Sequence, residues 1–253
     1  MALSPVRAGL TVAQLFVRRS VLRTRSLLVL FLIIADVIVA FAYRASGSFD
    51  IEHTFAALTN ETLLGFVVPF MALLYGVAVI RDEEEQGTIT YLLLHPISRP
   101  TLYLGRLFIA CTITTVIALS CLTGHLLILG ESPETQKILT VCGALVLGSI
   151  AYTTLFSAIG TIAKRPFVIG LIVLLLGDLP LSQLPMAARH VTLRANLENI
   201  AGLAPERTGI TALLDTSLST GTSILILVSV AATSLLLGLW AFQHREYTGE
   251  VSE

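Results

Sequence analysis

Long apolar runs separated by short charged segments constrain this chain more than any other feature. A hydrocarbon layer about 30 Å thick is spanned by about 20 helical residues, each rising about 1.5 Å. Five stretches meet that length: Leu27 to Tyr43, Thr62 to Ile80, Leu107 to Leu129, Ile138 to Ile162 and Ser223 to Phe242. The last closes on Trp240 and Phe242, aromatic residues suited to the membrane interface. A sixth, Phe167 to Leu181, is shorter and ends in Gly177, Asp178 and Pro180, so it crosses with tilt or local thinning, or inserts only in part. Only 13 % of the 253 residues are charged while 55 % are hydrophobic, with a mean hydropathy of +0.84. A soluble domain, usually about 25 % charged, could not cover its surface from this composition. The expected fold is an all-α integral membrane protein with six transmembrane helices, one transmembrane domain over residues 1–253.

The position of the charges says more than their sum. With 16 Lys+Arg against 17 Asp+Glu, no basic excess points to nucleic acid. Six crossings with the N-terminus inside put Arg7, Arg18, Arg19, Arg23, Arg25, Arg81, Arg99, Arg106, Lys164, Arg165 and Arg245 on the cytoplasmic side. Only Arg44, Lys137, Arg189, Arg194 and Arg207 fall outside. That asymmetry favours both termini in the cytoplasm. If the short fifth segment did not cross, Arg245 would move outside. Cys111, Cys121 and Cys142 all lie in apolar stretches without metal-ligand spacing and read as small buried hydrophobes. The apolar run after the arginine-rich start reads as a retained anchor.

Two segments flank the spans. Within residues 1–26, Val6, Leu10, Ala13 and Val17 share one helical face, with Arg7, Thr11, Gln14 and Arg18 beside it, the pattern of an amphipathic helix in the cytoplasmic headgroup layer. Within 182–222, Met186, His190, Leu193, Leu197 and Ile200 form one face, and Arg189, Thr192, Asn196 and Asn199 another, predicting a second surface helix on the outer side.

The segment from residue 82 to 100 carries the one ordered signature. Asp82, Glu83, Glu84 and Glu85 would complement the positive end of a short helix. Ile89, Leu92 and Leu93 give it an apolar face, and Pro96 stops it near Leu94. An ordinary interfacial loop has this composition but not this order. Acidic cluster, Gly87-Thr88, apolar run, Pro96-Ile97-Ser98-Arg99, then Gly105-Arg106 opening the next span, resembles the loop of the ABC-2 family of ABC-transporter membrane subunits. The resemblance departs in having Arg106 where many members have Lys, and Gln86 before Gly87.

That resemblance implies a permease half, working as a homodimer or with a similar partner, seated on two copies of a separate ATP-binding subunit. Asp82, Glu83, Glu84, Glu85, Gly87, Thr88, Leu92, Pro96 and Arg99 would form the coupling contact, with the Glu83 to Leu94 helix received by that subunit. No G-x-x-x-x-G-K-[ST] phosphate cradle exists in the chain, so ATP and Mg are expected on the partner and no cofactor or metal here. The family further implies export across a prokaryotic plasma membrane.

Three intramembrane polar residues are candidate pathway positions. Asp36 sits mid-span, where an acid either marks a proton path or faces the interior bonded to a neighbouring Ser, Thr or Tyr; with no intramembrane Lys or Arg to pair with, the second is expected. His125 has only Cys121 at i−4 and no second His or carboxylate at i±3 or i±4, too few ligands for a metal site, and is expected to pack structurally. Asp178 is expected to reach outer water. Asn60-Glu61-Thr62 forms a glycosylation sequon but abuts a span. A rival intramembrane enzyme finds no Gly-x-Ser-x-Gly or His-Glu-x-x-His, and a stand-alone secondary transporter finds no paired broken helices.

Overall fold

Every apolar run forms a helix, since backbone groups in hydrocarbon must be satisfied within their own segment. The structure, a computed structural model, describes residues 24–45, 51–85, 98–130, 133–178, 192–203 and 219–245. Helix α1 spans Thr24–Ala45, and α2, Ile51–Leu58, passes through a π-helical stretch, Thr59–Val67, into α3, Val68–Glu85. Then come α4 (Arg99–Leu129), α5 (Thr135–Ile162) and α6 (Pro166–Ile172), which continues as a second π-helical stretch, Val173–Asp178. Helices α7 (Leu193–Ala201) and α8 (Thr220–His244) follow. Among the described residues there is no strand.

Five helical segments are long and apolar enough to cross a membrane: Leu27–Ala45, Glu52–Asp82, Arg99–Leu129, Thr135–Ile162 and Thr220–His244. Each contains one of the five full-length runs. The sixth run corresponds to the shorter apolar helix Pro166–Leu176. The helices exceed the apolar runs because their first and last turns are polar. The clearest case is α4, whose start falls at Arg99 rather than Leu107. Ser98 is extended at its N-cap and Pro100 occupies the first turn, where no intrahelical N–H is required. Arg99, expected in the 82–100 loop, is thus the first residue of α4. At the other end of that loop α3 continues through Glu85. Residues 86–97 of the expected 82–100 loop, with most of its Glu83 to Leu94 helix, and the N-terminal amphipathic helix lie outside the described residues.

The second span begins ten residues before the apolar run, because Glu52, His53, Asn60 and Glu61 are helical despite their polarity. The π register lies just ahead of Pro69. That proline has no N–H to offer the carbonyl four residues back, and its ring would collide with it; the wider turn relieves the crowding. The Val68 N–H bonds Leu63 O, five residues back. Asn60 therefore lies within a helix, not in the exposed loop a glycan acceptor needs.

Helix α3 is the axis of the bundle. Of the most apolar part of the Glu52–Asp82 span, 89 % is buried inside the chain, against 22 % for Leu27–Ala45 and for Thr220–His244. Its closest neighbour is α5. A Cβ on Gly160 would lie 3.1 Å from both Val77 Cα and Val77 O, and one on Gly76 would lie 2.9 Å from Thr153 O. Small residues thus let the two backbones meet, the usual device where lipid removes any hydrophobic drive between helices. Helices α4 and α8 flank this pair, α1 packs on α4, and α6 packs against α5 and α3. At the α4–α5–α8 junction the Tyr103 hydroxyl shares a hydrogen bond of 2.7 Å with Ser157 Oγ and fills the space over Gly238.

Helix α7 departs most from expectation. It is not laid on the outer surface: Arg194, Asn196 and Glu198 are buried along with Leu193, Leu197 and Ile200. It packs on α5, α8 and the first π stretch, with Leu197 over Gly148 near the midpoint of α5. Its polar face is tolerated inside because it brings its own partners. Thr192 caps the helix by accepting from the Ala195 N–H, and the Asn199 amide donates to Ser223 Oγ of α8 at 2.9 Å.

Candidate functional site

Three polar constellations stand out against the apolar bundle, one at each end of the helices and one between α1 and α4.

At the first, the C-terminal ends of α3, α5 and α8 gather with the start of α4. Carbonyls in a helix's last turns carry its negative partial charge, and arginines from neighbouring helices donate to them here. Arg99 Nη1 donates to Gln243 O of α8 at 3.0 Å, and Arg106 Nη1 to Val79 O of α3 at 3.2 Å. Arg245, just past α8, donates to Thr161 O of α5 at 2.6 Å. Arg106 is buried, so this contact belongs to the interior. Arg81, Lys164 and Arg165 lie at the same end. Of the expected coupling residues, Asp82 is half-buried there and Arg99 is bonded as described. Glu83, Glu84 and Glu85 close α3 with side chains outside the described residues, as are Gly87, Thr88, Leu92 and Pro96.

The opposite end carries a different set. Lys137 at the start of α5, half-buried, bonds the exposed Glu52 of α2 at 2.6 Å. Deeper, Arg194 of α7 bonds Glu198 Oε1 through Nε at 2.9 Å and Glu61 Oε1 through Nη2 at 3.2 Å. Its guanidinium lies over Gly65 of the π stretch, where a Cβ would come within 3.0 Å of Nη1. Burial alone would loosen the guanidinium's proton, but Glu198 and Glu61 outweigh this and hold it above the ordinary arginine value. Glu198 is 5 % exposed while Glu61 is 56 % exposed, so the cluster joins the interior to the surface of the chain. None of its members was a candidate site residue in the sequence, where Arg194 counted only as an outer charge and Glu61 only within the sequon. The Arg194/Glu198 spacing of four was the available signal.

Between α1 and α4, Asp36 and His125 meet. His125 Nε2 lies 3.1 Å from each carboxyl oxygen of Asp36, and the two side chains are 1 % and 2 % exposed. Asp36 faces the interior as expected, but its partner is an imidazole from a helix 89 residues away rather than a Ser, Thr or Tyr hydroxyl. The Cys121 thiol, one turn from His125, lies against the same carboxyl. His125 Nδ1 is buried and has no hydrogen-bond partner among the described residues. The pair joins α1 to the bundle at a depth where an unpaired polar group is costly. Asp178 ends the second π stretch, its side chain outside the described residues. No group of three or more metal-ligating side chains forms among the described residues, and the three cysteines are free.

The family is decided by comparison over the whole bundle. The family model described as ABC-2 family transporter protein matches residues 18–247, from before α1 to just past α8. The chain belongs to the ABC-2 transporter family. With its apolar helices, this makes it an integral, multi-pass membrane protein. It is similar to the probable ABC transporter permease protein NosY of Stutzerimonas stutzeri, 29 % identical over 146 residues, covering 54 % of this chain and 52 % of that protein. It is likewise similar to the NosY protein of Pseudomonas aeruginosa, 34 % identical over 125 residues, 46 % and 44 % of the two chains. The chain thus aligns with about half the length of these curated relatives.

Proposed function

We propose that this ABC-2 family member is a permease subunit, forming with a second copy the path for an exported apolar or amphipathic substrate. Transport is driven by ATP hydrolysed, with Mg, on two copies of a separate ATP-binding subunit. The observation that carries this reading is the family match across residues 18–247. The names of the two NosY relatives, permease proteins, support it.

The arginine ties support a mechanical role for the 82–100 segment. Its two ends leave α3 and enter α4 where Arg99, Arg106 and Arg245 connect α3, α4, α5 and α8. A push on the segment from an ATP-binding subunit would move these helix ends together, as a rigid-body or shear displacement, rather than bend one helix alone. The excess of basic side chains at this end supports its placement in the cytoplasm, with both termini. Helix α6 is read as a sixth crossing. The chain leaves α5 at the basic end, and α7 then lies beside the α5 midpoint. An apolar groove of about 570 Å³ between α4, α5 and α8, walled by residues such as Phe108, Val116 and Leu235, supports a hydrocarbon-rich cargo.

The test is co-purification. Extracted in gentle detergent, the chain is expected to bring down a soluble ATPase with a Walker phosphate loop. Transport by the chain alone in liposomes, without ATP, would contradict the reading.

A further inference from the structure

We propose that the basic end of the bundle carries a binding site for an anionic phospholipid, built from α1, α3 and the start of α6. A pocket of about 340 Å³ opens between Leu28 of α1, Leu74, Val77 and Arg81 of α3, and the 164–168 segment. That volume is at the lower end of ligand pockets and suits a headgroup with the upper part of one chain.

Its lining divides by chemistry. Leu74 and Val77 form a buried apolar floor, and Leu28, Phe167 and Val168 expose carbon at the margin. Arg81, Lys164 and Arg165 stand together at the remaining rim. Arg81 is half-buried and already engages neighbours, so it is the fixed cation. Lys164 and Arg165 are exposed, and no ion pair joins either to a carboxylate among the described residues. Asp82, the next residue of α3, does not line the pocket. Lys164 and Arg165 thus face the opening without a described acid to neutralise them, next to the engaged Arg81.

Depth selects a lipid over a soluble anion. The apolar run of α1 starts at Leu27, that of α3 ends at Ile80, and α6 starts at Pro166, so the apolar stretches of all three end at this rim, those of α1 and α6 with carbon exposed. A phosphate held by Lys164 and Arg165 would sit at headgroup level, with its acyl chain running down past Phe167 and Leu28 into the bilayer. Basic residues at this level attract anionic lipid, and the long Lys and Arg stems reach phosphate while their carbons stay on apolar surface.

The full chain, purified in a neutral detergent, would be titrated with phosphatidylglycerol and with phosphatidylcholine of the same acyl chains, and bound lipid counted by native mass spectrometry. The wild-type chain is expected to prefer phosphatidylglycerol. K164Q/R165Q is expected to weaken that binding roughly tenfold to thirtyfold while leaving phosphatidylcholine unchanged. K164R/R165K should retain it, and R44Q, removing a cation at the opposite end, should leave it intact. Equal binding of the two lipids by the wild-type chain, or an unchanged preference in K164Q/R165Q, would overturn the site. Full competition by glycerol phosphate would reassign it to a soluble anion. Loss of a co-purifying ATPase from K164Q/R165Q, with phosphatidylglycerol binding unchanged, would reassign it to a protein surface. Either of these results also overturns the proposal.

Discussion

Replacing Asp36 and His125 singly and together by leucine tests whether their contact holds α1 to α4. With Asp36→Leu, His125 keeps its buried position but loses its Nε2 partner, and Nδ1 has none among the described residues. With His125→Leu, the Asp36 carboxyl is left at 2 % side-chain exposure with the Cys121 thiol beside it. Interhelical hydrogen bonds in membranes contribute about 0.6 kcal/mol on average and about 1.7 at most. Here one nitrogen is shared between two oxygens at 3.1 Å each, longer than the 2.7–2.9 Å of strong charge-assisted bonds. Two acceptors raise the value above the average and the stretched geometry keeps it below the ceiling, so a coupling of about 1 kcal/mol is expected. Each single variant also strands a buried polar group, which the double variant removes. The double variant should therefore cost less than the two singles added. Equilibrium unfolding of all four proteins in mixed micelles, followed by circular dichroism, reads the cycle. Singles that add to within about 0.3 kcal/mol would refute a direct pair and return both residues to independent packing.

Three other perturbations follow from the same geometry. Arg194→Met should destabilise the chain by about 3 kcal/mol, because it takes the guanidinium away from the buried Glu198 carboxylate, whereas Glu61→Gln, changing a half-exposed partner, should cost under about 1 kcal/mol; the same unfolding assay separates them. Gly160→Leu should cost about 2 kcal/mol or more, because its side chain would press on the Val77 backbone, while Gly143→Leu, with nothing within 4 Å of its Cβ, should be tolerated. Breaking the α8–α5 tie with Arg245→Gln should speed amide exchange in the last turn of α5 without altering membrane insertion, measured by exchange mass spectrometry.

The five long spans were legible because hydropathy reports what hydrocarbon demands of a helix. Their ends were not, because polar first turns such as Arg99–Pro100 and the Glu52–Glu61 extension are helical without being apolar. The π register had only Pro69 to signal it. Helix α7 was found in the sequence by its periodicity but placed on the surface, since an amphipathic pattern cannot show that its polar face has partners inside. Arg194 meets Glu61 across 133 residues, and Asp36 meets His125 across 89, separations at which no spacing rule operates. The arginine ties were hidden for a related reason. Their acceptors are backbone carbonyls, which every residue has.

The central claim is that the 82–100 segment receives movement from an ATP-binding subunit and passes it to the tied helix ends. Charge reversal at Glu84 and Glu85 addresses this most directly, with transport-linked ATP hydrolysis measured in proteoliposomes containing both subunits. The account predicts that Glu84→Lys/Glu85→Lys inserts and folds as the wild-type chain does, yet no longer raises the ATPase rate when substrate is present. Unchanged stimulation by that variant would contradict it.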